Sequence, residues 1–239
     1  MKIHHAIAKL FGYELINIKK HHPTLESHLK ALLTQLDIDS VIDVGANNGQ
    51  YGIMLRKLGF KGEIHSFEPV TISFNRLQKE AEKDKKWHVY HCALGHENTS
   101  ISINISQASE FASLLPATSY AKKIYDKKIP LSETEQIQVK TLDDIFGQNK
   151  CFLEKRIFLK MDTQGYDLNV IKGGKLIVEQ ALALQSEISI IPLYKGMPNY
   201  LESLAVFNKS GFKLSGIYPV SRDPNNSILI ELDCIMRKQ

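Results

Sequence analysis

The sequence predicts an α/β fold, a mostly parallel sheet with helices on both faces. Strand-like apolar runs alternate with helix-period segments along most of the chain. The 239 residues, 43% of them hydrophobic, suit one large domain. No internal repeat or low-complexity linker marks a second one.

The elements follow in order. Near the start, Ile3, Ile7, Leu10 and Phe11 fall on one helical face with Lys2 and Lys9 elsewhere. This short stripe is expected to pack on its own domain, with peripheral contact to a membrane surface or a partner as the alternative. Thr24 can cap a helix in which Leu25, Leu29, Leu32, Leu33 and Leu36 form one buried face. Residues 1–36 thus read as a helical extension packed on a core domain of residues 37–239. "SVIDVGA" is the first strand, residues 50–58 a helix, and "GEIHSFEP" a second strand closed by Pro69. "TISFNRLQKEAEKD" reads as a helix and "WHVYHCAL" as a third strand. "TSISINIS" and "EQIQVKTL" alternate apolar and polar residues like half-buried strands. They place an insertion at about 100–140, whose long connection from Gln107 to Gln136 is expected to be a lid, a binding loop or a mobile insertion. Strand "RIFLKMDT", helix "DLNVIKGGKLIVEQ", strand "ALALQSEIS" and helix "YLESLAVFNKSG" resume the rhythm. "FKLSGIYPV" and "SILIELDCIMRK", parted by the turn-like "SRDPNN", close it as an antiparallel hairpin.

Composition narrows the partners. A formal net charge of +4, with cations interspersed among acids, gives no footprint for nucleic acid. Cys92, Cys151 and Cys234 are odd in number and far apart, which fits a reducing cytoplasm rather than a disulfide framework or zinc cluster. No stretch approaches the roughly 20 apolar residues of a membrane span.

The chemistry starts at "VIDVGANNGQYG". In an open parallel sheet, ligands bind beyond the carboxyl ends of the strands where strand order reverses, and the loop from Gly45 to Gly49 follows such an end. Glycines let a ligand approach the main chain, and the following helix offers free N–H groups. The loop carries Asp43 at its entry and no cation before Arg56, so a triphosphate is not expected. The second strand ends in Glu68, about 20 residues past the glycines, where a carboxylate can accept from both ribose hydroxyls. A ribose without phosphates, beside a carboxylate, an ammonium and a sulfonium, describes S-adenosylmethionine.

"VIDVGANNGQYG", "SFEP", "HCALG", "FASLLP", "VKTLDDIF" and "FLKMDTQGYDLNVIKGG", in this order and followed by the closing hairpin, resemble the FkbM family of S-adenosylmethionine-dependent methyltransferases. The resemblance runs from about Val41 to the end. It implies a class I, Rossmann-like methyltransferase fold: a seven-stranded, mostly parallel sheet with an antiparallel last strand, and O-methylation of sugars or natural products. It places Asp43, Gly45, Asn47 and Gly49 around the methionine end, Glu68 at the ribose and Ala93 near the adenine.

"KMDTQGYD" brings Asp162 to the carboxyl end of a strand, where it is the candidate general base; the alternative is a cap for the helix near Tyr166. Glu187, at another strand end, and Tyr194 are candidates for binding the acceptor through its hydroxyls and a sugar face. Asp143 and Asp144 read as a helix N-terminus rather than a magnesium site, and no metal is expected. His65, His88 and His91 do not form a chelating set, and the paired histidines near the start read as solvated.

The expected activity is therefore S-adenosylmethionine-dependent O-methylation of a saccharide or another hydroxylated small molecule. The alternatives are a nicotinamide-dependent oxidoreductase, for which the glycines are poorly spaced, and a binding module that keeps the fold without its reaction.

Overall fold

The computed structural model describes residues 3–17, 21–106, 113–125 and 131–239. In chain order the elements are α1 (Ile3–Leu10), α2 (Leu25–Gln35), β1 (Ser40–Val44), α3 (Gln50–Lys57), β2 (Glu63–Phe67), α4 (Thr71–Ala81), β3 (Trp87–Tyr90), β4 (Ala93–Leu94) and β5 (Thr99–Ser106). There follow α5 (Ser119–Ile124), β6 (Leu131–Lys140), α6 (Leu142–Phe146), α7 (Lys150–Leu153), β7 (Ile157–Met161), α8 (Asp167–Gly173) and α9 (Lys175–Gln180). The last elements are β8 (Ala183–Ser189), α10 (Tyr200–Lys209), β9 (Lys213–Arg222) and β10 (Leu229–Arg237).

A seven-stranded sheet has the order β3-β2-β1-β7-β8-β10-β9. Neighbouring strands are parallel from β3 to β8, and β10 lies antiparallel to both β8 and β9. The chain leaves β1 toward one edge and returns on its other side at β7, so the order reverses between these two strands. That reversal opens a crevice at their carboxyl ends.

Alternation along the strands divides the core. Ile42, Val44, Leu159, Met161 and Leu184 join one cluster with Phe146, Ile177, Phe207 and Phe212. Val41, Phe158, Ala183 and Ile235 meet a second one with Leu29, Leu33, Leu55 and Leu77. Two residues further along three of these strands stand Asp43, Lys160 and Gln185, in register with one another. The second core therefore gives way to polar side chains where the crevice begins.

The N-terminal helices behave differently from each other. Thr24 caps α2 in a capping box with Ser27, and Leu29, Leu32, Leu33 and Leu36 are buried. The α1 stripe is not covered as expected: Ile7, Leu10 and Phe11 are exposed. His22 is not simply solvated, since its ring stacks on buried His28 with centroids 5.4 Å apart.

Two elements divide where the sequence reads as continuous. "WHVYHCAL" breaks after Tyr90, and Ala93–Leu94 pair with β6 in a second, three-stranded sheet of order β4-β6-β5. "DLNVIKGGKLIVEQ" breaks at Gly174, where Leu142 packs so closely that a Cβ would lie 2.8 Å from its Cδ1. Within the insertion, residues 107–112 and 126–130 lie outside the described residues. Residues 113–125 are docked: Ala117 bridges Tyr194, and Ala121 shares an apolar cluster with Leu193, Tyr194 and Ile230.

Candidate functional site

A cavity of about 770 Å³ opens at the crevice between β1 and β7. Val44, Gly45, Ala46, Asn47, Gln50, Tyr51, Glu68 and Ala93 line one part of it. Lys160, Asp162, Gln164, Gln185, Glu187, Glu231 and Asp233 line another.

Gly45 joins the two strands. Its φ is +74°, and a Cβ here would sit 1.9 Å from the Asp162 carbonyl oxygen, so only glycine fits without moving one strand. The Gly45 and Ala46 amides donate to the Phe67 carbonyl at 3.0 Å, tying the loop to the end of β2. Gly49 is set back from the lining at the N-cap of α3, where its added Cβ would press on Leu77 and Trp87.

Asp43 is buried behind the cavity rather than lining it. Its carboxylate accepts from Ser66 Oγ at 3.0 Å and pairs with Lys160 Nζ at 3.1 Å. The apparent lack of a cation near the loop is thereby corrected, because the parallel register sets Lys160 of β7 directly beside Asp43 of β1. Lys160 Nζ also donates to the Gly45 carbonyl at 3.1 Å and lies 3.7 Å from Asp162 Oδ2. Burial opposes its charge, but Asp43 and Asp162 outweigh that and hold the ammonium above the ordinary lysine range.

Glu68 does line the cavity. Its Oε2 accepts from the Asn47 amide at 2.8 Å and its Oε1 from the Val70 amide at 2.9 Å. Burial nonetheless pushes this carboxyl up to about 7, against the pull of those two amides. Each oxygen keeps a lone pair for a further donor. Ala93, at the start of β4, contributes an apolar wall beside Leu94 and Phe67.

Asp162 faces the cavity with its side chain 36% exposed. It does not cap the helix: the N-cap of α8 is Tyr166, with no side-chain cap, while Asp167 in the first turn reaches back to accept from the Thr163 amide at 3.0 Å and from the hydroxyls of Thr163 and Ser186. Gln164 Nε2 donates to Asp162 Oδ1 at 3.1 Å and to Glu187 Oε1 at 3.2 Å. Burial, then Asp162, Glu231 and Asp233, raise the Glu187 carboxyl well above its usual range; burial first also lifts Asp233 to about 6. Asp233 accepts from Gln185 Nε2 at 2.8 Å, and Gln185 Oε1 accepts from the Tyr51 hydroxyl at 2.7 Å. Tyr194 is 2% exposed and donates to Gln164 Oε1 at 3.0 Å, so it braces this wall from behind instead of offering a ring to an acceptor.

Asp143 and Asp144 lie in the first turn of α6, and Asp143 accepts from the Leu176 and Ile177 amides at the start of α9. His65 is buried beside Phe146 and Phe152, where burial first, then His88, lowers it to about 4. Sequence reasoning missed Lys160, Gln164, Gln185, Glu231 and Asp233. A polar residue inside an otherwise apolar strand was the available signal for Lys160 and Gln185.

The family model described as Methyltransferase FkbM domain matches residues 43–214. Methyltransferase 1 of Beauveria bassiana (strain ARSEF 2860) is 27% identical over 148 residues, covering 57% of this chain and 59% of that protein. The chain thus spans less than two thirds of that relative. The solved methyltransferase FkbM from Methylobacillus flagellatus KT aligns over 83% of this chain and 44% of its own, with 16% identity and a TM-score of 0.49. Magnesium protoporphyrin IX methyltransferase from Synechocystis PCC 6803, solved with bound S-adenosylmethionine, aligns over 98% and 89%, with 9% identity and a TM-score of 0.47.

Proposed function

The chain belongs to the FkbM methyltransferase family, and from that premise we propose that it methylates a hydroxyl oxygen of a saccharide or another hydroxylated small molecule, with S-adenosylmethionine as donor. The observation that carries this reading is the charge of the cavity. Glu68, Asp162, Glu187, Glu231 and Asp233 line it, while the lining ammonium of Lys160 is already engaged by Asp43. Such walls favour a cationic ligand and oppose a pyrophosphate.

The residues present fit the donor. Glu68 would accept the ribose hydroxyls with its remaining lone pairs, and Ala93, Leu94 and Phe67 would bound the base. The start of α3, at Gln50 and Tyr51, would present backbone N–H groups to the carboxylate. Bound S-adenosylmethionine supplies an electrophilic methyl group on sulfur. The chain's own part is to fix the acceptor and to take its proton. Asp162, open to the cavity and braced by Gln164, is the base that receives the hydroxyl proton, and Glu187 and Asp233 hold neighbouring hydroxyls.

Titration calorimetry with S-adenosylmethionine, S-adenosylhomocysteine and NADH tests the donor. Transfer of labelled methyl groups to a panel of saccharides and hydroxylated metabolites tests the acceptor. Binding of the first two ligands and label on oxygen are expected. Binding of NADH alone, or label on carbon or nitrogen only, overturns the reading.

A further inference from the structure

Gln164 is the point through which the acceptor end of the cavity is held together. Its backbone sits at φ +52°, a left-handed conformation that a non-glycine side chain adopts at an energetic penalty, and Gly165 follows at φ +94°. This turn aims the carboxamide at the cavity. Every polar atom of the amide is then engaged. The buried Tyr194 hydroxyl donates to Oε1 at 3.0 Å. Nε2, with two hydrogens, donates to Asp162 Oδ1 at 3.1 Å and Glu187 Oε1 at 3.2 Å. The Gln164 carbonyl accepts from Ser113 Oγ at 3.1 Å, which ties the turn to the docked insertion.

We propose that Gln164 is a positioning residue: its amide, donating to both carboxyl groups, sets the spacing of Asp162 and Glu187 and aims Asp162 at the acceptor hydroxyl. This inference rests on the methyltransferase reading given above. A turn that needed only its backbone shape would take Asn or Gly as readily, and neither reaches both carboxyl groups. The groups that act on this pair come from several elements: Lys160 on β7, itself paired with Asp43 of β1, Glu231 and Asp233 on β10, Asp167 on α8, and Tyr125 and Tyr194 on the flanking segments. Among them Lys160 supplies the positive charge near Asp162, and the Gln164 amide supplies neutral donors that no change of pH removes.

The test compares the whole chain with Gln164→Met and Gln164→Glu. Carboxyl ¹³C NMR titration reads the Glu187 midpoint without any acceptor. In Gln164→Met, which keeps the volume and loses the donors, the Glu187 midpoint should rise, because the Gln164 hydrogen bond is what holds it down. Turnover should fall about tenfold or more while cofactor affinity stays within about twofold. Gln164→Glu can donate only while protonated, so its turnover should move toward lower pH, a comparison made within one folded protein. An unmoved Glu187 midpoint, or turnover and pH profile equal to those of the unaltered chain, overturns the inference. Failure of the unaltered chain to bind S-adenosylmethionine defeats the methyltransferase reading instead, and the carboxyl titration still decides whether Gln164 governs this pair.

Discussion

At one end of the cavity Glu68 is held by backbone N–H groups, those of Asn47 and Val70, whereas at the other Asp162 and Glu187 are held by a side chain, Gln164, with Tyr194 behind it. The donors to Glu68 come from residues 21 positions before it and 2 after it. The far wall draws on β7, β8, β10 and the insertion. Backbone donors are present whatever the side chains are, so the first end is a property of the strand-loop-helix unit. The second depends on the identity of each side chain and on long-range register, and substitutions can retune it.

That contrast can be broken in several ways. The largest effect should come from Asp162→Ala: turnover falling about 100-fold or more, with donor affinity changed less than about threefold, in steady-state kinetics paired with calorimetry. Equal losses in both would merge the two ends. Gly45→Ala, which forces a Cβ onto the Asp162 carbonyl, should destabilise the fold by about 2 to 4 kcal/mol in urea denaturation. Stability within about 0.5 kcal/mol of the parent would mean that β1 and β7 part easily. Glu68→Ala should weaken donor binding by about tenfold to a hundredfold, the loss of charge-assisted hydrogen bonds, and leave turnover at saturation nearly unchanged. The smallest effect is on stability against pH. The folded chain keeps the Glu68 proton up to about 7, and the unfolded chain releases it near the ordinary glutamate value of 4.5. The folded state therefore binds more protons in that window, so stability is complete below it and falls as pH rises through it. The Tm of the ligand-free chain should drop by a few degrees between pH 5 and 8, and Glu68→Gln should flatten part of that slope, with Asp233 and Glu187 contributing in the same direction.

Legibility in the sequence follows the same division. The central strands, the Gly45 loop and strand-terminal Glu68 are encoded by period, glycine and one short interval, and each stands where the pattern puts it. Asp162 was visible because it ends an apolar run. Lys160, two residues earlier, stands out as a lone charge in the same apolar run, but its partner does not, since only the strand register places it beside Asp43. Glu231 and Asp233 sit in a hairpin strand whose neighbour on the inner side is β8, a pairing no local pattern specifies. The sequence makes Tyr194 a candidate for stacking on a sugar face, but it is buried against Ala121, Leu193 and Ile230, a contact made by the docked insertion. The break after Tyr90 had no marker either, because Ala93 and Leu94 are apolar in whichever sheet they join.

The Asp43–Lys160 pair also orders events at the ribosome. Lys160 follows Asp43 by 117 residues, so at roughly 5 to 20 residues per second it leaves the ribosome on the order of ten seconds later. Until then the nascent chain lacks the ammonium that pairs with that carboxylate in the folded chain, and burying the central strand would leave Asp43 without it. The cavity proposed for the methyl donor is consequently completed late in synthesis, and a ligand bound there would stabilise only a chain that has already passed its midpoint.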